Sequence, residues 1–425
     1  MPRMSETPRE DNLVVRTTVR DAWSIRELRF YLWSRFSFIM AIRMSLTILG
    51  WWVYQLTSNP LTLGMIGLAE VVGALSFALY AGHVVDRKEN KKIILVSIIA
   101  YAVCVLGFFI FSDAYIMEQV GRNGITAFVL GVLFFTGIIR AFSGPAFSAT
   151  LSRIVPRSHL PSATALSTGT WLIASVTGHA LGGFFIAWLG IHDSFLIVLA
   201  LCLVAWLNIL ALKARPLVQA TSQRTWESVR EGIRYVFSNK DILGAMSVDL
   251  FAVLFGGVVA LVPVFAKDIL FTDAIGFGWL NAAADIGSII TVGLLAVFPF
   301  QQKQGRIMLY AVAGFGVCMI LFALSTHYWL SFIALFAGGS FDGISMVIRG
   351  TILQLRTPDA LRGRVMSVNS MFINSSNELG QFESGLAARM MGVVPSVVFG
   401  GCMTLLVVLI TWVKAPSLRK MEYRS

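Results

Sequence analysis

Residues Gly82 to Lys92 read Gly-His-Val-Val-Asp-Arg-Lys-Glu-Asn-Lys-Lys and lie between two long apolar runs, 61–85 and 93–111. Each run is about 20 residues or longer, the length that an α-helix needs to cross the hydrocarbon core of a bilayer, about 30 Å thick. The charged segment is therefore a tight connection at one face of a membrane. Cytoplasmic loops carry an excess of lysine and arginine, and four cations place this connection in the cytoplasm: Arg87, Lys88, Lys91 and Lys92.

The composition places the whole chain in a membrane. Of its 425 residues, 56% are hydrophobic and only 13% are charged, which is too few polar residues to cover a soluble protein of this size. The positive residues behind the net charge of +11 lie mainly in alternate connections, as they do in the cytoplasmic loops of membrane proteins. We therefore expect a lipid bilayer as partner and no nucleic acid. Neither disulfides nor a metal site are expected, because the four cysteines lie in apolar runs without metal-type spacing: Cys104, Cys202, Cys318 and Cys402.

Twelve apolar runs of spanning length follow one another along the chain, and we number them spans 1 to 12. They cover residues 30–56, 62–85, 92–111, 125–148, 162–189, 194–212, 242–266, 277–299, 307–326, 329–353, 365–391 and 394–413. An even number of spans puts both termini on one side of the membrane, and the distribution of lysine and arginine makes that side cytoplasmic. The predicted fold is an all-α integral membrane protein with twelve transmembrane helices.

The predicted spans divide into two bundles of six. A cytoplasmic N-terminal segment at 1–29 precedes the first bundle at 30–212, a linker at 213–241 leads to the second bundle at 242–413, and a cytoplasmic tail occupies 414–425. Apolar residues recur at helical spacing in the linker, which predicts a helix lying on the inner membrane surface: Trp226, Val229, Ile233 and Val236.

The two bundles repeat each other in sequence. An offset of 214 residues relates Gly64, Gly73 and Lys92 to Gly278, Gly287 and Arg306. An offset of 202 relates Pro156, Gly178 and Gly183 to Pro358, Gly380 and Gly385. Parallel repeats of six spans are one way in which transporters place a binding site at the midplane between two halves.

Ionisable residues inside the spans follow a period of three. Apart from Lys92 at its first residue, span 3 contains none, spans 6, 9 and 12 contain none, and the other eight include Arg43, Glu70, Arg140, His179, Asp249, Asp285, Asp342, Arg349, Glu378 and Glu383. An ionised side chain at the bilayer centre costs roughly 3 kcal/mol, so the charge-free spans are expected to face lipid and the other eight to line a shared interior.

These charged side chains are the candidates for coupling protons to substrate. The carboxylates outnumber the arginines by six to three, so some acids have no arginine partner even with perfect pairing. An unmatched acid either binds a proton, with Glu70 and Asp285 as the preferred carriers, or stays ionised in a wet cavity and attracts cationic substrates. Arg43 and Glu70 lie near the middle of consecutive spans and are expected to share one network.

Three motifs resemble those of the major facilitator superfamily. The segment 82–92 resembles its signature loop through Gly82, Asp86, Arg87, Lys91 and Lys92, with Glu89 and Asn90 where that family usually has glycine and arginine. Arg140-Ala-Phe-Ser-Gly-Pro-Ala resembles the arginine motif of its fourth helix, and Gly178-His-Ala-Leu-Gly-Gly resembles the exporter motif of drug:proton antiporters. The resemblance implies that the loop braces helix ends, that Arg140 takes part in proton coupling, and that Gly178, Gly182 and Gly183 pack helices closely.

His179 stands where the exporter motif has proline. It is interpreted as a hydrogen-bonded packing residue or, alternatively, as a group that titrates near neutral pH. In span 11, polar residues at intervals of three and four form one stripe that must face water or protein: Ser370, Asn374, Asn377, Glu378, Gln381 and Gly385.

The resemblance implies a secondary transporter of the bacterial plasma membrane, similar to enterobactin exporters and macrolide efflux proteins. We expect a monomer that works by alternating access and exchanges a small amphiphilic substrate for protons. We expect no cofactor, because no nucleotide-binding loop of the Gly-x4-Gly-Lys-Ser/Thr type is present. An importer on the same fold is an alternative. A membrane-embedded enzyme or lipid-handling protein is a further alternative, but no catalytic His/Asp, Cys/His or metal-spaced set supports it.

Overall fold

The computed structural model describes residues 19–213, 225–300 and 302–422, and its secondary structure there is helical throughout. After a short helix at Val19–Ser24, spans 1 to 4 are the helices Arg26–Thr57, Pro60–Arg87, Asn90–Phe111 and Ala114–Ile154. Spans 5 and 6 lie in one helical segment, Leu160–Leu210, and span 7 occupies Lys240–Ile269, whose last turns are 3₁₀ and π. Spans 8 to 12 are Ala274–Val297, Gln304–Leu324, Tyr328–Arg356, Asp359–Met391 and Val393–Lys414.

Ten of the described helices are long and apolar enough to cross a membrane. The segment Leu160–Leu210 contains 51 residues and is broken at Gly190, whose φ of 82° lies in the left-handed region, so it crosses twice. The helix Asp359–Met391 has the length of a span but is too polar to be recognised by hydropathy. Counted in this way, the described residues are consistent with the twelve predicted spans in two halves.

Close backbone contacts relate the two halves by the offsets seen in the sequence. A Cβ at Gly385 of span 11 would lie 2.8 Å from the Cα of Gly64 in span 2, and a Cβ at Gly183 of span 5 would lie 2.8 Å from the Cα of Gly278 in span 8. Since Gly64 is equivalent to Gly278 and Gly183 to Gly385, these two contacts are one contact repeated. Spans 2 and 11 thus form one seam between the halves, and spans 5 and 8 form the other.

The charge-free spans present apolar side chains to the outside of the bundle. Val103 of span 3, Leu203 of span 6, Leu324 of span 9 and Leu409 of span 12 are each more than half exposed. Side chains of this kind on the outer surface of a membrane protein contact lipid. These exposed apolar side chains are compatible with the prediction that every third span faces lipid.

The bundle has a basic face and an opposite face. We define the basic face by the span ends that carry Arg87, Lys91, Arg153, Lys213, Lys240, Arg356 and Lys414. Most connections at the opposite face are very short: 58–59, Gly190, 270–273, 325–327 and Gly392. The connection between spans 3 and 4 is longer, because the segment Ala114–Ile154 is broken at Gly121, whose φ of 74° lies in the left-handed region.

The two halves meet towards the opposite face and separate towards the basic face. Near the opposite face, Trp51 stacks on Phe277 with ring centroids 5.2 Å apart, and the Tyr54 hydroxyl donates to the Asp268 carboxylate. Nearer the basic face, a Cβ at Gly144, Gly169 or Gly350 would have no neighbouring atom within 4 Å beyond its own helix. The space between the halves is therefore open at the basic face.

The linker contains a helix, Thr225–Ser238, that packs against the second half. Val236 is fully buried against Leu353 and Val365, and the Tyr235 hydroxyl donates to the Arg356 carbonyl at 2.7 Å. The helix predicted in the linker is therefore present, and its residue Val236 packs on protein. Ile233 and Phe237 remain exposed, while the side chains of Trp226 and Val229 lie outside the described part.

Candidate functional site

Arg140 of span 4 is held between two carboxylates that belong to different halves. Its Nη1 donates to Glu70 Oε2 at 2.7 Å and to Glu378 Oε1 at 3.0 Å. Glu70 lies on span 2 of the same half, whereas Glu378 lies on span 11 of the other. Because one cation faces two acids, the group carries a net negative charge when both acids are ionised.

Neighbouring polar groups hold the two acids in place. The Thr136 hydroxyl, one turn before Arg140 on span 4, donates to Glu70 Oε1 at 3.2 Å. Gln381 Nε2 donates to Glu378 Oε2 at 3.1 Å. The Glu70 side chain is 4% exposed, whereas that of Arg140 is 32% exposed, so the guanidinium is reached from the open space and Glu70 is not.

A second polar link crosses the other seam. The Ser175 hydroxyl of span 5 donates to Asp285 Oδ2 of span 8 at 2.5 Å, and His179 Nε2 lies 3.9 Å from the same oxygen. A hydrogen bond of 2.8 Å joins His179 Nδ1 to the Thr47 hydroxyl of span 1. His179 is thus a buried, hydrogen-bonded residue that also faces a carboxylate of the other half.

The remaining candidate charges are distributed differently. Arg43 lies over the ring of Trp171 at 5.3 Å, and the ion partner of Glu70 is Arg140, not Arg43. Within the second half, Arg349 of span 10 forms an ion pair with Asp249 of span 7, and both side chains are almost wholly buried. In the part of the chain that the structure describes, neither Asp342 nor Glu383 has a cation within ion-pair distance.

The exporter-like segment of span 5 packs two helices against it. Gly178 and Gly182 lie against Met40 and Thr47 of span 1, where a Cβ would come within 2.9 and 3.1 Å of their atoms. Gly183 lies against span 8 of the other half. The segment therefore joins a contact within the first half to a seam between the halves.

The segment 82–92 is more helical than the sequence suggests. The helix of span 2 continues through Gly82 to Arg87, and only Lys88 and Glu89 separate it from span 3. Lys91 Nζ donates to the carbonyl oxygens of Leu210 at 3.0 Å and Leu212 at 2.5 Å, at the C-terminal end of the segment Leu160–Leu210. A cation is favourable at this end of a helix because the helix dipole is negative there. Lys92 pairs with Glu89 at 3.0 Å, and the side chain of Asp86 lies outside the described part.

Several residues of these clusters were not singled out from the sequence. Tyr54 and Asp268 join the halves near the opposite face, and Thr136 and Ser175 hold carboxylates. Thr136 could have been found, because it lies four residues before Arg140 and so shares its helix face. The sequence contains no comparable signal for Ser175, since its partner is 110 residues away.

Comparison with curated proteins finds exporters. The chain is 26% identical over 295 residues to the enterobactin exporter EntS of Shigella boydii serotype 18, and the match covers 69% of each chain. It is also 26% identical over 295 residues to EntS of Escherichia coli O81, again with 69% of each chain covered.

Comparison with solved structures finds the same fold. The nucleoside transporter NupG matches with a TM-score of 0.71 and 14% identity, over 92% of this chain and 99% of NupG. A bacterial homologue of the human lysosomal transporter Spinster, in an inward-facing and unoccupied conformation, matches with a TM-score of 0.65 and 13% identity, over 93% and 96% of the two chains.

The sequence model of one family covers nearly the whole chain. It is described as transmembrane secretion effector and matches residues 32–424. Its members and the relatives above are transporters, not enzymes. The chain belongs to the transmembrane secretion effector family of the major facilitator superfamily and is a multi-pass membrane transporter.

Proposed function

We propose that this transporter exports a small amphiphilic compound, drug-like or siderophore-like, in exchange for protons. The observation that carries the proposal is the position of Arg140, which bonds one carboxylate from each half. Protons compete with Arg140 for those carboxylates, so proton binding and the contact between the halves are linked at this one group.

The linkage works through Glu378. When Glu378 is ionised, it bridges the seam to Arg140 and favours the arrangement seen here. A proton on Glu378 removes the charge that Arg140 attracts, and Arg140 keeps Glu70 as its partner within the first half. The halves are then freer to separate towards the opposite face, as alternating access requires.

The proposed orientation puts the basic face in the cytoplasm of a bacterial cell and the protein in the plasma membrane. The excess of lysine and arginine at that face supports this orientation. The space between the halves then opens to the cytoplasm, from which an exporter takes its substrate. Ser370, Asn374 and Asn377 of span 11 are exposed, as groups facing a water-filled opening would be.

The substrate class rests on similarity and on the site. Enterobactin exporters are among the relatives, which supports a siderophore-like or similarly amphiphilic compound. Aromatic and polar groups also meet in the interior, where Trp171 lies beside Arg43. We propose that the protein works as a monomer with the proton gradient as its energy source.

The test measures transport in inverted membrane vesicles from a host that lacks its own exporters. A panel containing enterobactin and cationic dyes is offered with and without a proton gradient, and accumulation inside inverted vesicles reports export. We expect E378Q to abolish gradient-driven accumulation, because the amide no longer exchanges a proton.

The matched control is E118Q, which makes the same chemical change at an exposed residue near the opposite face. We expect it to transport as the unmodified protein does. Accumulation by E378Q that still follows the proton gradient would contradict the role of Glu378, and efflux from inverted vesicles would indicate an importer.

A further inference from the structure

A cavity lies at the basic face of the first half, between the ends of spans 3, 4 and 6. It involves neither the seams between the halves nor the group around Arg140. Its volume is about 340 Å³, including the part that is open to solvent. The charged side chains of its lining are three cations, Lys91, Arg153 and Lys213, and one acid, Glu89. The cavity therefore has a mainly cationic lining.

The contacts of the charged residues leave this lining positive. Glu89 pairs at 3.0 Å with Lys92, a further cation that is not part of the lining. Lys91 Nζ donates to the two carbonyl oxygens at the end of span 6, and a lysine ammonium has three donors. One N–H of Lys91 thus remains for a ligand, and the helix end holds that N–H in a fixed place.

The internal repeat locates the equivalent place in the second half. The offset of 202 residues also relates Gly190 to Gly392, two glycines with positive φ that precede spans 6 and 12. Together with the offset of 214 it gives each cation of the cavity an uncharged counterpart. The counterparts are Gly305 for Lys91, Leu355 for Arg153 and Ala415 for Lys213. The cationic lining is therefore particular to the first half.

The tail after span 12 fills the equivalent place in the second half. Leu418 and Met421 lie in one buried cluster with Ile352, which is the counterpart of Thr150 in the cavity lining. The Gly305 N–H also donates to the Met421 carbonyl at 3.3 Å. The fold thus takes up an additional group at this place. An apolar lining receives an apolar segment there, whereas the cationic lining of the first half favours an anion.

The outer surface beside the cavity is apolar and continues into the membrane. Val96 and Ile99 of span 3 are exposed, as are Leu207 and Leu210 of span 6. All four lie within about three turns of the basic face. Acyl chains are stabilised on such a surface, whereas a free phosphate ion gains nothing from it. This surface favours a lipid as the source of the anion.

We propose that the cavity binds the phosphate of an anionic membrane lipid, with the acyl chains along spans 3 and 6. The phosphate oxygens accept hydrogen bonds from Lys91, Arg153 and Lys213, and charge-assisted bonds of this kind are strong. Basic pockets between transmembrane helices at the level of the headgroups bind anionic lipids. The site is independent of the proposed export and of the direction of transport.

The test is native mass spectrometry of the purified, delipidated full chain. Dioleoyl phosphatidylglycerol is added in one series and dioleoyl phosphatidylcholine in another, so the acyl chains are the same and only the headgroup differs. We expect the unmodified protein to retain phosphatidylglycerol in preference. R153Q and K213Q should each weaken its binding about fivefold, the factor that corresponds to one cation near a membrane surface. R153K should bind nearly as the unmodified protein does, because it keeps the charge.

The matched control is K414Q, which makes the same change at an exposed lysine where span 12 ends at the basic face. We expect its affinity for phosphatidylglycerol to be unchanged. Equal affinity in R153Q, K213Q and the unmodified protein would overturn the proposal, as would equal retention of the two lipids. Displacement of phosphatidylglycerol by the same concentration of inorganic phosphate would indicate a site for the free ion and overturn the assignment to a lipid.

Discussion

Arg140 differs from an ordinary ion pair because both carboxylates accept from the same nitrogen, Nη1, at 2.7 and 3.0 Å. Such charge-assisted hydrogen bonds are short and strong, but they leave two acids close together. Removal of the guanidinium would therefore leave Glu70 and Glu378 buried without a cation. Removal of either acid still leaves Arg140 with one partner.

This asymmetry predicts the order of stability among variants. We expect R140Q to destabilise the protein by about 3 kcal/mol, the lower end for breaking a buried pair, because the Arg140 side chain is 32% exposed. E70Q should have a smaller effect, and the double variant should recover part of the loss. Thermal unfolding in detergent measures all three.

The control is R43Q combined with E70Q. Arg43 lies over Trp171 and is not the ion partner of Glu70, so the effects of these two changes should be close to additive. Additivity for Arg140 and Glu70 would show that the ion pair does not contribute as described.

The seams between the halves depend on glycine. Spans 5 and 8 approach so closely that backbone meets backbone at Gly183 and Gly278, and spans 2 and 11 do the same at Gly64 and Gly385. Small residues at such positions let membrane helices pack without side chains between them. These contacts exist only while the halves are together at the opposite face. A larger residue in place of one of the glycines would therefore destabilise the conformation that is closed at that face.

We therefore expect G183V to favour the conformation that is open at the opposite face. Distances between spin labels introduced with T57C and F271C, one in each half near that face, should lengthen. G169V is the matched control on the same span, because a Cβ at Gly169 meets no atom beyond its own helix. An unchanged distance in G183V would show that the seam yields without separating the halves.

The whole molecule encloses a space that opens at one face only. Asn374 is exposed on span 11, in the part of the bundle where the halves diverge, whereas Leu409 is 60% exposed on the outside of span 12. We therefore expect Asn374 to contact water and Leu409 to contact lipid. A hydrophilic thiol reagent distinguishes the two environments.

We expect N374C, in a chain without other cysteines, to react rapidly with a membrane-impermeant maleimide applied at the basic face. L409C should react slowly from either face, because lipid shields it. Rapid reaction of N374C from the opposite face would mean that the molecule in a membrane rests in the other conformation. Labelling of inside-out and right-side-out vesicles measures both cases.

The general architecture could be predicted because it depends on counts and periods along the chain. The spans without charge have exposed apolar side chains, and the residues related by the offsets of 214 and 202 make equivalent contacts at the two seams. Span 11 was predicted as one of the twelve runs of spanning length, although the hydropathy of the helix Asp359–Met391 does not identify it as a membrane helix.

The pairing of charges could not be predicted, because it depends on how each helix is rotated and on which conformation is adopted. Glu70 could have faced Arg43 or Arg140, and only packing at Gly73 and Gly137 turns it towards span 4. Arg140 and Glu378 are 238 residues apart and meet only where the two halves touch. That Asp342 has no ion partner among the described residues could not be predicted either, because it depends on the pairing of Arg349 with Asp249.

The short connections at the opposite face have a consequence for how the protein can be approached. Two residues at 58–59, a single Gly190 and a single Gly392 offer no segment that could extend into the cleft of a protease or the binding site of an antibody. An epitope inserted there would lengthen a turn between packed helices. Among the described connections at this face, the segment 112–121, which ends at Gly121, is the one with enough exposed chain for reagents and regulatory proteins to bind.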